Sequence, residues 1–173
     1  KSGNRTQLNS ILQNYFQKRP VSTKWHDLLS KIPHIKTIIT TNYDELFELA
    51  YGSEAIKIVN EDEVVNLNNT HEIFKVHGDL SKPESIIITK SDYGRFFYND
   101  TDTNLLWKVI AERISNKTIV FLGYGFEDIN VFNVVKKVKE ALKGNRREVF
   151  LIAPGLTKSK ITYLEQQEMQ YVG

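Results

Sequence analysis

The sequence contains no cysteine, and this absence excludes three kinds of chemistry. A chain without thiols forms no disulfide, offers no thiolate ligand to zinc and has no cysteine nucleophile. The absence also suits a reducing compartment, so we expect a cytoplasmic protein.

Long apolar runs and a strong excess of charge are also missing. No stretch approaches the ~20 apolar residues that cross a bilayer, and no secretory signal is visible, so we expect no membrane partner. The net charge is only +2, which does not predict direct binding of nucleic acid. Apolar residues make up 40% and charged residues 25% of the 173 positions, a balance typical of one globular domain with a substantial core.

The four histidines do not form a recognisable metal-binding pattern. His71 and His77 lie in one predicted strand, and their spacing puts them about 20 Å apart along it. Since no cysteine ligand is present either, the sequence predicts no metal cofactor.

The hydrophobic pattern predicts short apolar strands that alternate with helices. Predicted helices cover residues 5–18, 22–31, 44–51, 91–97, 103–115, 126–142 and 158–170. Predicted strands cover residues 37–40, 55–59, 72–76, 85–89, 118–122 and 148–153, and residues 60–70 read as a polar surface loop. This order is typical of an α/β fold with a mainly parallel sheet and helices on both faces. Because no linker or repeat interrupts it, we expect one domain over residues 1–173.

Polar clusters directly follow three of the predicted strands. They are Thr41-Asn42-Tyr43-Asp44, His77-Gly78-Asp79 and Gly123-Tyr124-Gly125. Ligands of parallel α/β sheets bind at the carboxyl ends of the strands, so three such clusters on one edge predict a binding site.

The first cluster has two interpretations. Asn42 and Glu45 match a capping box, in which the asparagine accepts from an early helix amide and the glutamate reaches back. Asn42 also carries a donor and an acceptor on one planar amide, which suits a sugar hydroxyl and a water. Asp44 can accept from a ligand or cap the helix itself. The residues alone leave both interpretations open.

The second cluster is equally ambiguous. His77 at a strand end can serve as a general base, because an unperturbed imidazole with a pKa of ~6.5 is mostly neutral at pH 7. The alternative is a histidine that packs and bonds to backbone in a turn. Gly78 permits a close backbone approach or a positive φ under either interpretation.

The third cluster, Gly123-Tyr124-Gly125, resembles the start of a phosphate-binding turn. Asp128 stands where a dinucleotide fingerprint has its third glycine, and its charge repels phosphate, which favours a ribose or adenosine contact. The aromatic group at residues 93–98 is interpreted as packing, not as a base-stacking surface.

Taken in order, four segments resemble the SIR2-like domain family, the sirtuin relatives of bacterial anti-phage defence proteins. They are ITTNYDELFE (39–48), FKVHGDL (74–80), IIITKSDYGRFF (86–97) and IVFLGYGFEDIN (119–130). The first two are fairly specific as a pair. The resemblance implies a Rossmann-like α/β domain that hydrolyses NAD⁺ to nicotinamide and ADP-ribose and so depletes NAD⁺ during infection.

The resemblance also implies roles for individual residues. Asn42 of the T-x-N-x-D motif and His77 of the H-G motif correspond to the catalytic pair of the family, with NAD⁺ as substrate and no metal. The remaining NAD⁺-binding residues implied in this sequence are Thr41, Asp44, Gly78, Gly123, Tyr124 and Gly125, of which the last three match a segment that contacts the adenosine half. Family members commonly form homo-oligomers under the control of a regulatory domain or partner protein.

Two departures from the family keep alternatives open. The four-cysteine zinc module of protein-deacylating sirtuins is absent, which argues against an NAD-dependent deacylase. The first strand and the G-A-G-x-S pyrophosphate loop should precede the first helices, and residues 1–4 do not supply them. Either this N-terminal part has been lost from the chain or this member never had it. A non-catalytic module that binds NAD⁺ or ADP-ribose, or serves assembly, is therefore the first alternative, and a deacylase the second.

Overall fold

The computed structural model describes residues 2–16, 22–65, 67, 71–98, 104–123 and 147–173. The chain divides into two compact units, Lys1–Leu106 and Trp107–Gly173. Each unit contains a three-stranded sheet in which every neighbouring pair of strands is parallel. The two parallel sheets and the helices that accompany them in the described residues confirm the predicted α/β class.

The first unit is built around a sheet with the strand order β1-β3-β2. Its strands are β1 (Thr37–Thr40), β2 (Ala55–Ile58) and β3 (His71–Lys75). Its helices are α1 (Ser2–Phe16), α2 (Lys24–Ser30), α3 (Leu46–Tyr51), α4 (Glu61–Val64) and α5 (Lys90–Tyr98), with 3₁₀ turns at Gly52–Glu54 and Pro83–Ser85. Helix α6 (Leu105–Asn116) begins in this unit and continues into the second.

The central strand β3 explains why this sheet forms. Ile73 and Phe74 are fully buried, as expected for a strand that has a neighbour on each side and is covered on both faces. Burial of each such side chain stabilises the fold by about 1.5–3 kcal/mol. Lys75, the last residue of the same strand, is also almost completely buried. A charged side chain in this position needs a specific set of partners.

The second unit has the strand order β4-β5-β6. Within the described residues, its elements after α6 are β4 (Ile119–Leu122), β5 (Val149–Ile152), α7 (Lys158–Gln166) and β6 (Gln170–Val172). Leu151, Ala153, Leu164 and Met169 form its buried cluster. The Thr157 side chain accepts a hydrogen bond from the Lys160 amide and caps α7.

The predicted strand over residues 85–89 is wrong. Ile86 and Ile87 are buried as a strand would bury them, but they follow the 3₁₀ turn in an irregular segment. The Ile87 amide donates to the His77 carbonyl at 2.9 Å, and the amides of Ile88 and Thr89 donate to the Asp92 carboxylate. The backbone donors that a sheet requires are therefore already used.

Other differences lie at short or polar elements. Helix α4 forms inside the predicted loop 60–70, where Asn60 and Glu63 make a capping box. The last helix ends at Gln166, four residues before the predicted end, and β6 begins at Gln170. The predicted helix 126–142 lies outside the described residues. No helix in the described part of the chain is both long and apolar enough to cross a membrane.

Candidate active site

The loop between β1 and α3 presents Asn42 to solvent. The Asn42 backbone amide donates to Thr40 Oγ1 at 3.0 Å. Its side chain is exposed, and no described residue forms a hydrogen bond with the side-chain amide. Helix α3 starts only at Leu46, its N-cap is Glu45, and the Glu45 side chain makes no capping hydrogen bond. The capping-box interpretation of Asn42 and Glu45 is therefore wrong.

The neighbours of Asn42 hold the loop in place. The Tyr43 hydroxyl donates to the Ile87 carbonyl at 2.6 Å, and the Tyr43 ring meets the Phe16 ring edge-on. Asp44 Oδ1 accepts from the Leu46 amide at 3.1 Å, so Asp44 supports the start of α3, as one of its two interpretations predicted. Thr41, which precedes Asn42, is half-buried. The loop is thus fixed on both sides of an exposed Asn42.

His77 lies in the turn that follows β3. The residue is buried, and its ring meets the Tyr93 ring edge-on with 5.3 Å between centroids. Its carbonyl accepts from the Ile87 amide, so the irregular segment after the 3₁₀ turn packs against the histidine. The aromatic Tyr93, interpreted from sequence as packing, contacts the predicted catalytic base directly.

The sheet register brings the two predicted catalytic residues to the same edge. Thr40 of β1 pairs with Lys75 of β3, and the Val76 amide continues the pairing by donating to the Thr40 carbonyl at 3.0 Å. Asn42 and His77 each lie two residues beyond this last pair. Because the strands are parallel neighbours, both residues leave the sheet at its carboxyl edge, where ligands of such sheets bind.

Gly78 has a structural reason to be glycine. Its φ is +90°, and its amide donates to the Lys75 carbonyl at 3.0 Å to close the turn. A Cβ added at Gly78 would lie 2.3 Å from the carbonyl oxygen of Ser85. The turn after His77 therefore requires a residue without a side chain.

A network of charges lies beneath this edge. Lys75 Nζ is 3.1 Å from Asp79 Oδ2 and 3.2 Å from Glu48 Oε1, and it donates to the Asp44 carbonyl. Asp79 Oδ1 accepts from Lys57 Nζ at 3.1 Å. Burial opposes the charge on Lys57, but hydrogen bonds to carboxylates including Asp79 raise its pKa above the ordinary value.

Asp79 remains ionised despite its burial. Burial alone raises the pKa of its carboxyl, but hydrogen bonds from the Ser81 hydroxyl and amide and the charge of Lys75 outweigh that effect. The pKa of Asp79 is consequently lowered from 3.8 to about 2. Asp92 is similar: burial opposes its charge, while the Thr89 amide and the Arg5 guanidinium hold the pKa of that carboxyl well below its usual range.

Helix α1 fastens the segment that follows the His77 turn. Residues of α1 spaced four apart share one face and make the contacts Arg5–Asp92, Asn9–Pro83 and Gln13–Leu80. The Arg5–Asp92 ion pair has an N–O distance of 2.6 Å. The helix thereby braces the segment that packs on His77.

The sequence profile of the SIR2-like domain matches residues 36–172, which include both polar clusters of this edge. The chain belongs to the SIR2-like domain family. The match confirms the resemblance stated from the four sequence segments and agrees with a Rossmann-like fold of parallel strands and helices.

The individual relatives share about a third or less of their aligned residues with this SIR2-like chain, and they are much longer. The NAD(+) hydrolase ThsA of Enterococcus faecium is 28% identical over an alignment of 179 positions, which covers 98% of this chain and 37% of that protein. The NAD(+) hydrolase ThsA of Acinetobacter baumannii is 32% identical over 133 residues, which cover 73% of this chain and 27% of that protein. Defense-associated sirtuin 2 of Bacillus subtilis is 32% identical over 151 residues, which cover 83% of this chain and 14% of that protein. The chain thus spans little more than a third, or less, of the length of these proteins.

Of the remaining predicted site residues of this SIR2-like chain, the structure describes only Gly123. Gly123 follows β4 in the second unit, has a φ of +64° and would place a Cβ in open space. Tyr124 and Gly125 lie outside the described residues, as does Asp128. The structure therefore brings Thr41, Asn42 and Asp44 together with His77 and Gly78, and it places Gly123 in the other unit.

The sequence alone assigned no role to two residues at this SIR2-like edge. Lys75 and Asp79 are both buried and form an ion pair across the His77 turn. The available signal was the pair of opposite charges four positions apart, on either side of the H-G motif. A lysine at the end of an apolar strand could equally be exposed, so spacing alone did not reveal the pair.

The ion pair of Asp79 makes stability depend on pH. A carboxyl whose pKa is lowered on folding contributes stability above its unfolded pKa of 3.8, and loses it as the pH falls through the folded value of about 2. The full contribution is about 2 kcal/mol, and about half of it disappears between pH 6 and pH 3. We expect the stability gap between the wild type and Asp79→Asn to narrow by about 1 kcal/mol over that range.

Urea unfolding of both proteins at pH 6 and pH 3 measures this gap. Asp92 is present in both, so its own titration cancels in the difference. A gap that stays constant from pH 6 to pH 3 would show that Asp79 is not held ionised by its neighbours.

Proposed function

We propose that this protein is a cytoplasmic NAD⁺ hydrolase that releases nicotinamide and ADP-ribose and acts in bacterial anti-phage defence by depleting NAD⁺. The observation that carries the proposal is the register of β1 and β3, which puts Asn42 and His77 two residues beyond the same strand pair. The names of the relatives, NAD(+) hydrolase ThsA and Defense-associated sirtuin 2, support the same activity.

The chemistry suits these two side chains. Nicotinamide leaves as a neutral molecule from an oxocarbenium-like transition state, so the reaction needs positioning and a polar pocket more than acid assistance or a metal. The exposed amide of Asn42 orients the ribose and the attacking water. His77 accepts a proton from a ribose hydroxyl or from that water.

The same proposal assigns NAD⁺ contacts around the pair. Thr41 and Asp44 flank Asn42, and the backbone at Gly78 approaches the ligand beside His77. Gly123, with Tyr124 and Gly125, contacts the adenosine half. We further propose that residues 1–173 form one SIR2-like domain of a homo-oligomer controlled by a further domain or partner. The greater length of the relatives supports the further domain.

The test is nicotinamide release from NAD⁺ by the full-length protein and its His77→Ala variant. Removal of a general base typically costs about 100-fold or more in rate, so we expect release to fall at least that far. His71→Ala is the matched control, because His71 begins β3 and so lies at the end of the strand opposite to the His77 turn. It should release nicotinamide at the wild-type rate.

Other outcomes identify the alternatives. NAD⁺ or ADP-ribose binding without release, by a wild-type protein supplied with its activator, would replace the hydrolase with the binding or assembly module. Transfer of an acyl group from an acylated lysine peptide would instead identify a deacylase. Equal release by the wild type and His77→Ala would remove His77 from the catalytic pair.

A further inference from the structure

One buried ammonium group contacts both segments that carry the proposed catalytic pair. The Lys75 side chain is fully buried, and its Nζ donates to the backbone carbonyl of Asp44 in the Asn42 loop. The same Nζ is 3.1 Å from Asp79 Oδ2 in the turn that contains His77. Lys75 therefore joins the Asn42 loop to the His77 turn through a single charged group.

Stability alone does not explain a lysine at this position. The neighbouring residues of β3, Ile73 and Phe74, are fully buried and apolar. Replacement of a buried ion pair by well-packed apolar residues is often neutral or stabilising, because desolvation of the charges cancels much of their attraction. What an apolar residue cannot provide is a hydrogen bond to the Asp44 carbonyl together with an ion pair to a carboxylate.

Asp79 is fixed from both sides. Its Oδ2 faces Lys75, while its Oδ1 accepts from Lys57, from the Ser81 amide at 2.8 Å and from the Ser81 hydroxyl. With both oxygens engaged, the carboxylate cannot rotate away from the lysine. Asp79, together with Glu48 at 3.2 Å, thus holds Lys75 Nζ in place beside the Asp44 carbonyl.

We propose that Lys75 and Asp79 are positioning residues that hold the Asn42 loop and the His77 turn at a fixed separation for NAD⁺ hydrolysis. The inference rests on the proposed function of Asn42 and His77. Neither positioning residue touches the substrate. They act by keeping the asparagine amide and the imidazole in the geometry that the reaction requires, where a displacement of about 1 Å is enough to cost about 100-fold in rate.

The kinetic test uses Lys75→Met, which preserves length and burial but removes the charge. In the full-length protein we expect kcat to fall about 100-fold while KM stays within about threefold, because the geometry of reaction and not the binding surface is altered. Lys82→Met is the matched control, since the Lys82 side chain forms an ion pair with Glu63 at 2.5 Å and only its backbone, which the substitution keeps, bonds to Asp79. Its kcat should equal that of the wild type.

A loss of folding is separated from a loss of positioning by measuring kcat at a temperature where circular dichroism shows each variant folded. Should Lys75→Met fail to fold at any temperature, Asp79→Asn carries the test, with a fall in kcat of about tenfold and an unchanged KM. A folded Lys75→Met or Asp79→Asn with kcat within threefold of the wild type would overturn the proposal.

Hydrogen–deuterium exchange gives a readout that does not depend on hydrolysis. In the full-length Lys75→Met variant, peptides covering residues 41–46 and 76–80 should both exchange faster than in the wild type, and in Lys82→Met neither should. Unchanged exchange in both peptides would overturn the link between the segments. If both peptides exchange faster in Lys75→Met, but the wild type releases no nicotinamide under any activating condition, the link is supported and the hydrolase is rejected.

Discussion

Replacement of Asn42 by alanine should abolish NAD⁺ hydrolysis without weakening the fold. The Asn42 side chain is exposed and bonded to no described residue, so its removal should change the free energy of unfolding by less than about 0.5 kcal/mol. Loss of one preorganised hydrogen-bonding group at a reacting centre costs about 100- to 1,000-fold in kcat. Nicotinamide release and urea unfolding of the full-length variant measure the two effects separately.

Asn60→Ala is the control with the opposite expectation. Asn60 belongs to the capping box of α4, and loss of an N-cap side chain typically costs about 1 kcal/mol of stability. Its activity, measured where the protein is folded, should equal that of the wild type. If Asn42→Ala instead unfolds more easily and hydrolyses NAD⁺ normally, then Asn42 has the structural role and the assignment of the catalytic pair fails.

The two asparagines also show where sequence reasoning stops. Asn42 and Asn60 both begin an N-x-D-E pattern, Asn-Tyr-Asp-Glu in one case and Asn-Glu-Asp-Glu in the other. Only the second caps a helix. At the first, Tyr43 bonds to the Ile87 carbonyl and Lys75 holds the Asp44 carbonyl, so the chain stays out of the helix until Leu46. These partners lie more than 30 positions away, and a local pattern contains no information about them.

The strands were predictable because their apolar runs are short and bounded by polar residues. The predicted strand 37–40 has the observed bounds of β1, and the prediction 72–76 differs from β3 by one residue at each end. Because polar clusters follow the parallel strands, the sequence also predicted the sheet edge that carries Asn42 and His77. The register that aligns those two residues, through Thr40 and Lys75, required the structure.

The isoleucine run at residues 86–88 failed as a strand for a tertiary reason. Its hydrophobicity correctly indicated burial, but formation of a strand also requires a neighbouring strand with free donors and acceptors. Here the backbone amides bond to the His77 carbonyl and to Asp92, which is itself held by Arg5. The run became part of the support for the site because its polar partners come from distant segments.

Gly78→Ala should be the most destabilising single substitution of the His77 turn. At a φ of +90° any L side chain is strained, and the added Cβ would lie 2.3 Å from the Ser85 oxygen and 2.5 Å from its carbonyl carbon. Backbone atoms cannot move aside as a flexible side chain can. We expect a loss of about 3 kcal/mol or more in unfolding free energy, and loss of nicotinamide release because His77 moves with the turn.

Two further glycines separate the contributions to this loss. Gly52 has a positive φ of +55° but no atom within 4 Å of an added Cβ, so Gly52→Ala should cost only the strain of about 1–2 kcal/mol. Gly94 lies within α5 with neither strain nor contact, and Gly94→Ala should be neutral or stabilising by up to about 1 kcal/mol. Urea unfolding and nicotinamide release of the three variants give the comparison.

The order of the three stabilities decides how the His77 turn is held. If Gly78→Ala costs clearly more than Gly52→Ala, the close contact with Ser85 fixes the turn, and the segment that packs on His77 cannot yield. If the two cost the same, Ser85 moves aside and only the backbone conformation requires glycine. In that case the segment that packs on His77 can move without loss of activity. An active Gly78→Ala variant would therefore contradict the proposal that a rigid turn holds the His77 imidazole in position.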